Sequence, residues 1–529
     1  MEVKMKKILT TLLALIIIAA NISFAACNNG SGGAGSSNTP PPVDGTPAES
    51  GDQGGETEKP ADEDPYDKTA KANESLNVDL DALDYGNKKL TVYHSTMPHP
   101  EFGVDESEAQ AGGLSEAVYK RNEYTEKNLG IKLEYIGKNG LTGDKSPFMY
   151  DLRVTVNDPD SPVGIIAAYS QTAPYLHITG LMEELTAHSD VLKLDKAWWP
   201  GNSCSENEIK GRIYYVTGDI SPSLLKSMNV VFVNKKLASD LGRNENNSLI
   251  ELVKNGHWTV DELMTLSKDL YLDLDNVDGK SDGDRYGMAL HYEDATNALW
   301  TGMGYKFYDR SAQDDELYIL SEDYRAGEAF VNKIYEWWNT ADVYVYNENF
   351  SSSSATADQV FESSGALFLC CQMDKLDPEL CSDDFTLLPA PKLTSTQESY
   401  HTSVGYKFSL YSICSEYSDT ELAAQVLQTM GFYGYHLTTP VIAEELFGGR
   451  SNMDSDDEYM FELIRSNISL DSGKILELYS GERISYNLSL ATYQSTWMSI
   501  ANSQKIMASQ LCAKSAGEDI LNAIKENSK

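Results

Sequence analysis

Hydrophobic and polar positions along the chain fall into three regimes. Residues 8–20 are a mainly apolar run interrupted by Thr10 and Thr11, residues 28–85 carry almost no bulky apolar side chains, and periodic patterning begins near Lys88. Leu90-Thr91-Val92-Tyr93-His94 reads as a strand, and residues 113–129 carry apolar side chains at helical spacing. Gly130 stands where a helix stop is expected. Residues 131–136 alternate, as a half-buried strand does. Strand, helix, strand is a βαβ opening, so the expected class is α/β with a largely parallel sheet. Residues 163–169 are continuously apolar, which suits a strand buried on both faces. An amphipathic helix is expected over 326–339, with at least one of Trp337 and Trp338 buried. The adjacent Cys370 and Cys371 are expected on opposite faces of a buried strand.

The first two regimes change the picture before any fold is considered. Lys4, Lys6 and Lys7 precede an apolar run of about 13 residues, shorter than the roughly 20 that span a bilayer. Phe24-Ala25-Ala26-Cys27 comes next and resembles the bacterial lipobox, departing from it at Phe24, where an aliphatic residue is usual. That resemblance implies a signal peptide over 1–26 and a lipidated Cys27. The bland alternative is an ordinary secretory signal with a chance cysteine. Residues 27–85, rich in Gly, Ser, Pro, Asp and Glu, bury too little apolar surface to offset ordering entropy and are expected to be a disordered tether.

Composition narrows the function. A chain of 529 residues favours two lobes over one core. Apolar residues make up 41%, and the mean hydropathy of −0.38 argues against a polytopic membrane protein. With 42 basic and 80 acidic residues the net charge is −38, which excludes a nucleic-acid partner because phosphate binding needs a basic surface. None of the seven cysteines forms a Cys-x-x-Cys pair or stands at zinc spacing from a histidine. No nucleophile elbow, Walker loop, His-Glu-x-x-His or dinucleotide fingerprint occurs. Among 80 carboxylates any chosen pair imitates a glycosidase site, so no pair is informative.

An ordered series of segments then resembles the family 1 extracellular solute-binding proteins. It comprises Gly180-Leu181-Met182-Glu183-Glu184-Leu185-Thr186, Trp198-Trp199-Pro200, and Ile209-Lys210-Gly211-Arg212-Ile213-Tyr214-Tyr215 with Gly218-Asp219. Val231-Phe232-Val233-Asn234-Lys235, the capped helix start at residues 255–263, the helix-to-strand step at 361–368 and Leu387-Leu388-Pro389-Ala390-Pro391-Lys392 continue the series in order. The similarity runs from Lys88 to the C-terminus and is closest to the branch common in anaerobic Gram-positive bacteria. It implies an α/β, two-lobed, periplasmic-binding-protein-like (type II) fold with a hinge and an interlobe cleft. The first lobe is expected over 86–215 plus 405–450 and the second over 216–404 plus 451–529. Crossings are expected near 216–219, 401–405 and 449–454, and residues 489–529 should be mostly helical. The function implied is a monomeric, non-enzymatic lipoprotein on the extracytoplasmic face of the cell membrane. It would capture a small solute, a mono- or oligosaccharide first, for the permease subunits of an ABC importer. The alternatives are a ligand-binding subunit of a sensory system and a lipid-anchored carbohydrate-processing enzyme.

Sugar sites combine aromatic faces with carboxylates and amides. The candidates at strand ends and crossings are Tyr93, His94, Ser170, Gln171, Asp219, Trp300 and Trp497. Trp198, Trp199, Trp258, Trp337 and Trp338 read instead as packing residues. Separately, Asp273, Asp275, Asp278, Asp282 and Asp284 surround Gly279 and suggest a structural calcium. The register of an EF-hand loop is broken there, and a solvated acidic turn is the competing reading.

Overall fold

Strand β1 (Lys88–Ser95) is flanked by β2 (Ile131–Lys138) and β3 (Val163–Tyr169), both parallel to it. The helix Gly113–Leu129 joins β1 to β2 and buries Val118, Tyr124 and Leu129. Its stop is Gly130, left-handed at φ 59°, whose N–H donates to the Glu126 carbonyl. Every residue of β3 is buried, as its unbroken apolar run requires.

The computed structural model describes Leu80, residues 83–497 apart from 97–100, 103–105, 142–144, 159–161, 312–317, 326, 349–354, 448–452 and 481–482, and residues 518–523. All of these belong to one compact unit, Glu63–Lys529. Cys27, the expected leader and most of the expected tether lie outside the described residues. So do residues 449–452 of the third expected crossing, and 498–517 and 524–529 of the expected C-terminal helical region. No described helix is long and apolar enough to cross a membrane.

A second sheet is built from β4 (Asn229–Asn234) and β5 (Tyr286–His291), joined later by β8 (Val343–Tyr346), β9 (Ala366–Gln372) and β10 (Phe385–Leu388), in the order β10-β4-β9-β5-β8. Between β5 and β8, β6 (Tyr308–Arg310) and β7 (Tyr318–Leu320) pair separately. The chain then returns to the first sheet as β11 (Ser409–Ile413), giving the order β11-β3-β1-β2.

Each sheet contains one strand that runs against the rest: β11 against β3, and β4 against β9 and β10. The expectation of largely parallel sheets is met apart from these two. Both are entered straight from the connection between lobes, so they start at the cleft end of their sheet and must run away from it. A strand reached through a helix arrives from the far end instead. Between the lobes two segments lie side by side, with Val216 bridging Tyr411 and Met228 bridging Val404, while Thr402 pairs with Ile468. The helix Ile484–Gln494 packs on Tyr292–Gly302 and Glu328–Trp338 in the second lobe. Trp337 and Trp338 are both buried there, and so are Cys370 and Cys371 in β9.

Candidate ligand-binding cleft

The start of the helix Gly113–Leu129, which follows β1, and the residues directly after β9 line one groove of about 1020 Å³. The first lobe contributes the start of the helix Gly113–Leu129 and the helix Thr439–Phe447. The second contributes the short turn Met373–Lys375 and the residues after it, up to Glu379. Lys226, in the connection between lobes, completes the wall.

The lining is amphipathic. Leu437, Val441, Ile442 and Leu446 face Met373 and Leu376 across the groove, and six carboxylates surround them: Glu116, Asp374, Asp377, Glu379, Glu444 and Glu445. Two ammonium groups answer these charges, Lys120 paired with Glu116 at 2.7 Å and Lys226 at 3.9 Å from Glu445. Glu445 also accepts the Leu114 N–H at 2.7 Å, which pins the two first-lobe helices together. No aromatic ring lines the groove among the described residues.

Behind the Met373–Lys375 turn stands a charged cluster. The Lys375 ammonium is 2.7 Å from Asp294 and 3.3 Å from His291 Nδ1, and His291 Nε2 is 2.6 Å from Asp358. An ammonium can only donate, so Nδ1 accepts and Nε2 carries the proton given to Asp358. Burial would raise the Asp294 carboxyl, but the Lys375 ammonium, with the Gln372 side chain, holds it below the ordinary value. Burial would likewise lower the Lys375 ammonium, and Asp294 outweighs it. The cluster fixes the turn that carries the second lobe's share of the groove.

The seven residues expected at a ligand are all buried, and none lines this groove. Tyr93 faces the helix Lys145–Thr155, donating to the Phe148 carbonyl at 3.1 Å and to Asp151 at 3.0 Å. His94 packs on Phe102, with Nδ1 3.1 Å from the Ser95 carbonyl, and burial lowers its pKa. Ser170 and Gln171 do meet at the end of β3, where Ser170 donates to the Tyr406 carbonyl at 2.5 Å and Gln171 accepts from Tyr169 at 3.3 Å. Asp219 is fully buried, accepting from Arg465 at 2.7 Å and from the Thr439 hydroxyl. Trp300 and Trp497 are brought together through Tyr324, at 6.4 and 5.3 Å between ring centroids, inside an aromatic cluster of the second lobe.

The acidic loop divides. Asp273, Asp275 and Asp284 converge, with carboxylate oxygens within 4.8 Å of one another. Asp278 is not in that group, and Asp282 instead accepts from the Tyr344 hydroxyl at 2.7 Å and the Ala355 N–H at 3.0 Å. Asp284 already accepts from Leu274 and Ser281 backbone N–H groups and from the Tyr271 hydroxyl. Three carboxylates fall short of the six to eight oxygens that calcium takes, so carbonyls or water would have to supply the remainder.

The groove residues were missed for an identifiable reason. Ligands of open α/β sheets bind at strand carboxyl ends, and residues 373–379 stand at that of β9 as Ser170 and Gln171 stand at that of β3. The 437–446 wall carries no local signal, because only the fold brings it opposite that turn.

No family model matches the sequence, and neither does any curated protein. Among solved structures, the chain is similar to a cyclo/maltodextrin-binding protein complexed with maltotetraose, at 13% identity and a TM-score of 0.50, over 84% of this chain and 98% of that one. It is also similar to a sugar transporter from Rhizobium etli in an open conformation, at 12% identity and a TM-score of 0.52, over 81% of this chain and 99% of that one. Together with two α/β lobes and a groove between them, these likenesses establish a two-lobed, periplasmic-binding-protein-like fold.

Proposed function

We propose that the protein is an extracytoplasmic solute-binding protein that captures a small carbohydrate between its lobes for an ABC importer. The observation that carries this reading is the groove of about 1020 Å³ walled by both lobes, with the second lobe's wall following the carboxyl end of β9. A site of that size takes a ligand of several ring units, and ligands of open α/β sheets bind at such strand ends. Contacts made on both walls would favour the closed arrangement, which is the physical basis of hinge closure. The carbohydrate class is supported by the maltotetraose-bound and sugar-transporter structures of the same fold. Their shared two-lobed plan also supports binding without turnover, and delivery to permease subunits. Lipid anchoring through Cys27 is part of the proposal and rests on the sequence around it.

The reading is tested by a thermal-shift screen of purified protein across mono- and oligosaccharides, with amino acids, peptides and polyamines as counter-classes. A carbohydrate at about 100 times its Kd should stabilise the fold by about 2.7 kcal/mol and raise the Tm. Stabilisation by another class alone would overturn the carbohydrate assignment.

A further inference from the structure

Arg310 ties the two lobes together away from the segments that connect them. Residues 185–216 belong with the first sheet: Trp198 Nε1 donates to Gln428 on the helix Thr420–Tyr433, and Val216 bridges Tyr411 in β11. β6 belongs with the second lobe, because Phe307, just before it, stacks on Trp300 at 5.5 Å between ring centroids. From β6 the Arg310 guanidinium reaches across, one nitrogen donating to the Ser205 and Glu206 carbonyls, both at 2.8 Å. The Glu206 and Glu208 carboxylates stand 4.0 and 3.8 Å from the same guanidinium. The hinge lies elsewhere. Thr402 pairs with Ile468, Asn202 exchanges hydrogen bonds with Leu470 at 2.7 and 3.1 Å, and Asp471 accepts the Phe307 N–H at 2.8 Å. The three residues of β6 carry Arg310 about 10 Å beyond Phe307.

We propose that Arg310 is an interlobe strap that holds the lobes in the arrangement seen here, and that hinge closure has to break it. This goes beyond the solute-binding reading and uses only its two lobes and hinge. A contact on the hinge axis survives rotation of one lobe against the other, whereas a contact displaced from the axis does not. Charge-assisted bonds to two backbone carbonyls hold the guanidinium more firmly than a lone exposed ion pair would. The strap therefore weights the equilibrium toward one arrangement, and apparent ligand affinity falls with the fraction of molecules left able to close.

The test measures interlobe distance in the ligand-free protein by double electron–electron resonance. Spin labels on unnatural amino acids replace Asp190 and Glu336, exposed positions of the first and second lobes. R310A should shift the ratio of the two arrangements by at least about threefold, as the loss of a charge-assisted contact allows. R310K keeps the charge but not the planar fork, and should fall between R310A and the parent. R153A, on the exposed side of the helix Lys145–Thr155 within the first lobe, should match the parent. A distance distribution in R310A superimposable on the parent's would overturn the strap. So would an equal shift in R153A, which would mark a general effect of charge. The urea midpoint of R310A should stay at the parent's value, because the side chain is exposed. A lowered midpoint without a distance change would assign Arg310 to plain stabilisation and overturn the strap as well. No ligand enters the measurement, so its failure leaves the solute-binding reading standing.

Discussion

The Arg465 guanidinium donates to Asp219 at 2.7 Å, to Glu462 at 2.6 Å and to the Ala197 carbonyl at 3.0 Å, with Asp219 fully buried. Burial pushes the Asp219 carboxyl up to about 6 against the pull of that guanidinium. Arg465→Met leaves a buried carboxylate without its cation and should cost about 3–5 kcal/mol in urea unfolding. The double variant with Asp219→Asn should recover part of the loss, and an R465M protein as stable as its parent would contradict the pairing. Burial acts oppositely on histidine, holding His177 and His436 down to about 4. The unfolded chain takes up those protons near 6.5, so the stability is present above that pH and is lost as pH falls from 6.5 toward 4. For His177, with neither ring nitrogen hydrogen-bonded, the loss is about 3 kcal/mol at the acid end. Asp219 favours the fold as pH falls from about 6 toward 3.8, partly offsetting the two histidines. His177→Phe should flatten the decline in urea midpoint between pH 7 and pH 5, and an unchanged slope would contradict the assignment.

Elements were the most legible scale. The helix Gly113–Leu129 and strand β3 have the bounds that apolar spacing indicates, because each buries a face whose period the sequence displays directly. The helix Val260–Leu266 starts inside the capped segment expected at 255–263, with Thr259 accepting the Glu262 N–H. Gly130→Ala tests the same logic. Its Cβ would lie 2.7 Å from Asp84 Oδ1 in a left-handed conformation, so a loss of about 1–2 kcal/mol is expected in thermal unfolding. The loop from Asp273 to Asp284 is a harder case, since its hydrogen bonds account for much of its shape. The calcium proposal requires that chelation lower the Tm and that calcium restore it where magnesium does not, and no change on chelation would retire it. Strand direction was legible only in part: the reversed β4 and β11 result from where the chain enters each sheet, which no local pattern records.

At the scale of the whole molecule, the body would work at the end of a tether, and the proposed anchor sets where it acts. Cys27→Ser in the full-length protein should move it from the membrane fraction to the medium with its ligand affinity unchanged. Retention at the membrane would contradict lipidation there. Hinge closure depends on both lobes touching one ligand, so the groove belongs to neither lobe alone. The sequence by itself determined the α/β class, the strand-helix-strand opening with the buried strand after it, and the charge. These are properties of neighbouring residues, whose periodicity and spacing are written in one dimension. Only the tertiary structure decided which residues lie at the cleft. Asp219 became half of a buried ion pair because Arg465 folds onto it from 246 positions away. Trp300 and Trp497 became core because Tyr324 lies between them. The acidic groove exists because Met373–Lys375 and Thr439–Phe447, each ordinary alone, are carried by different lobes to face one another.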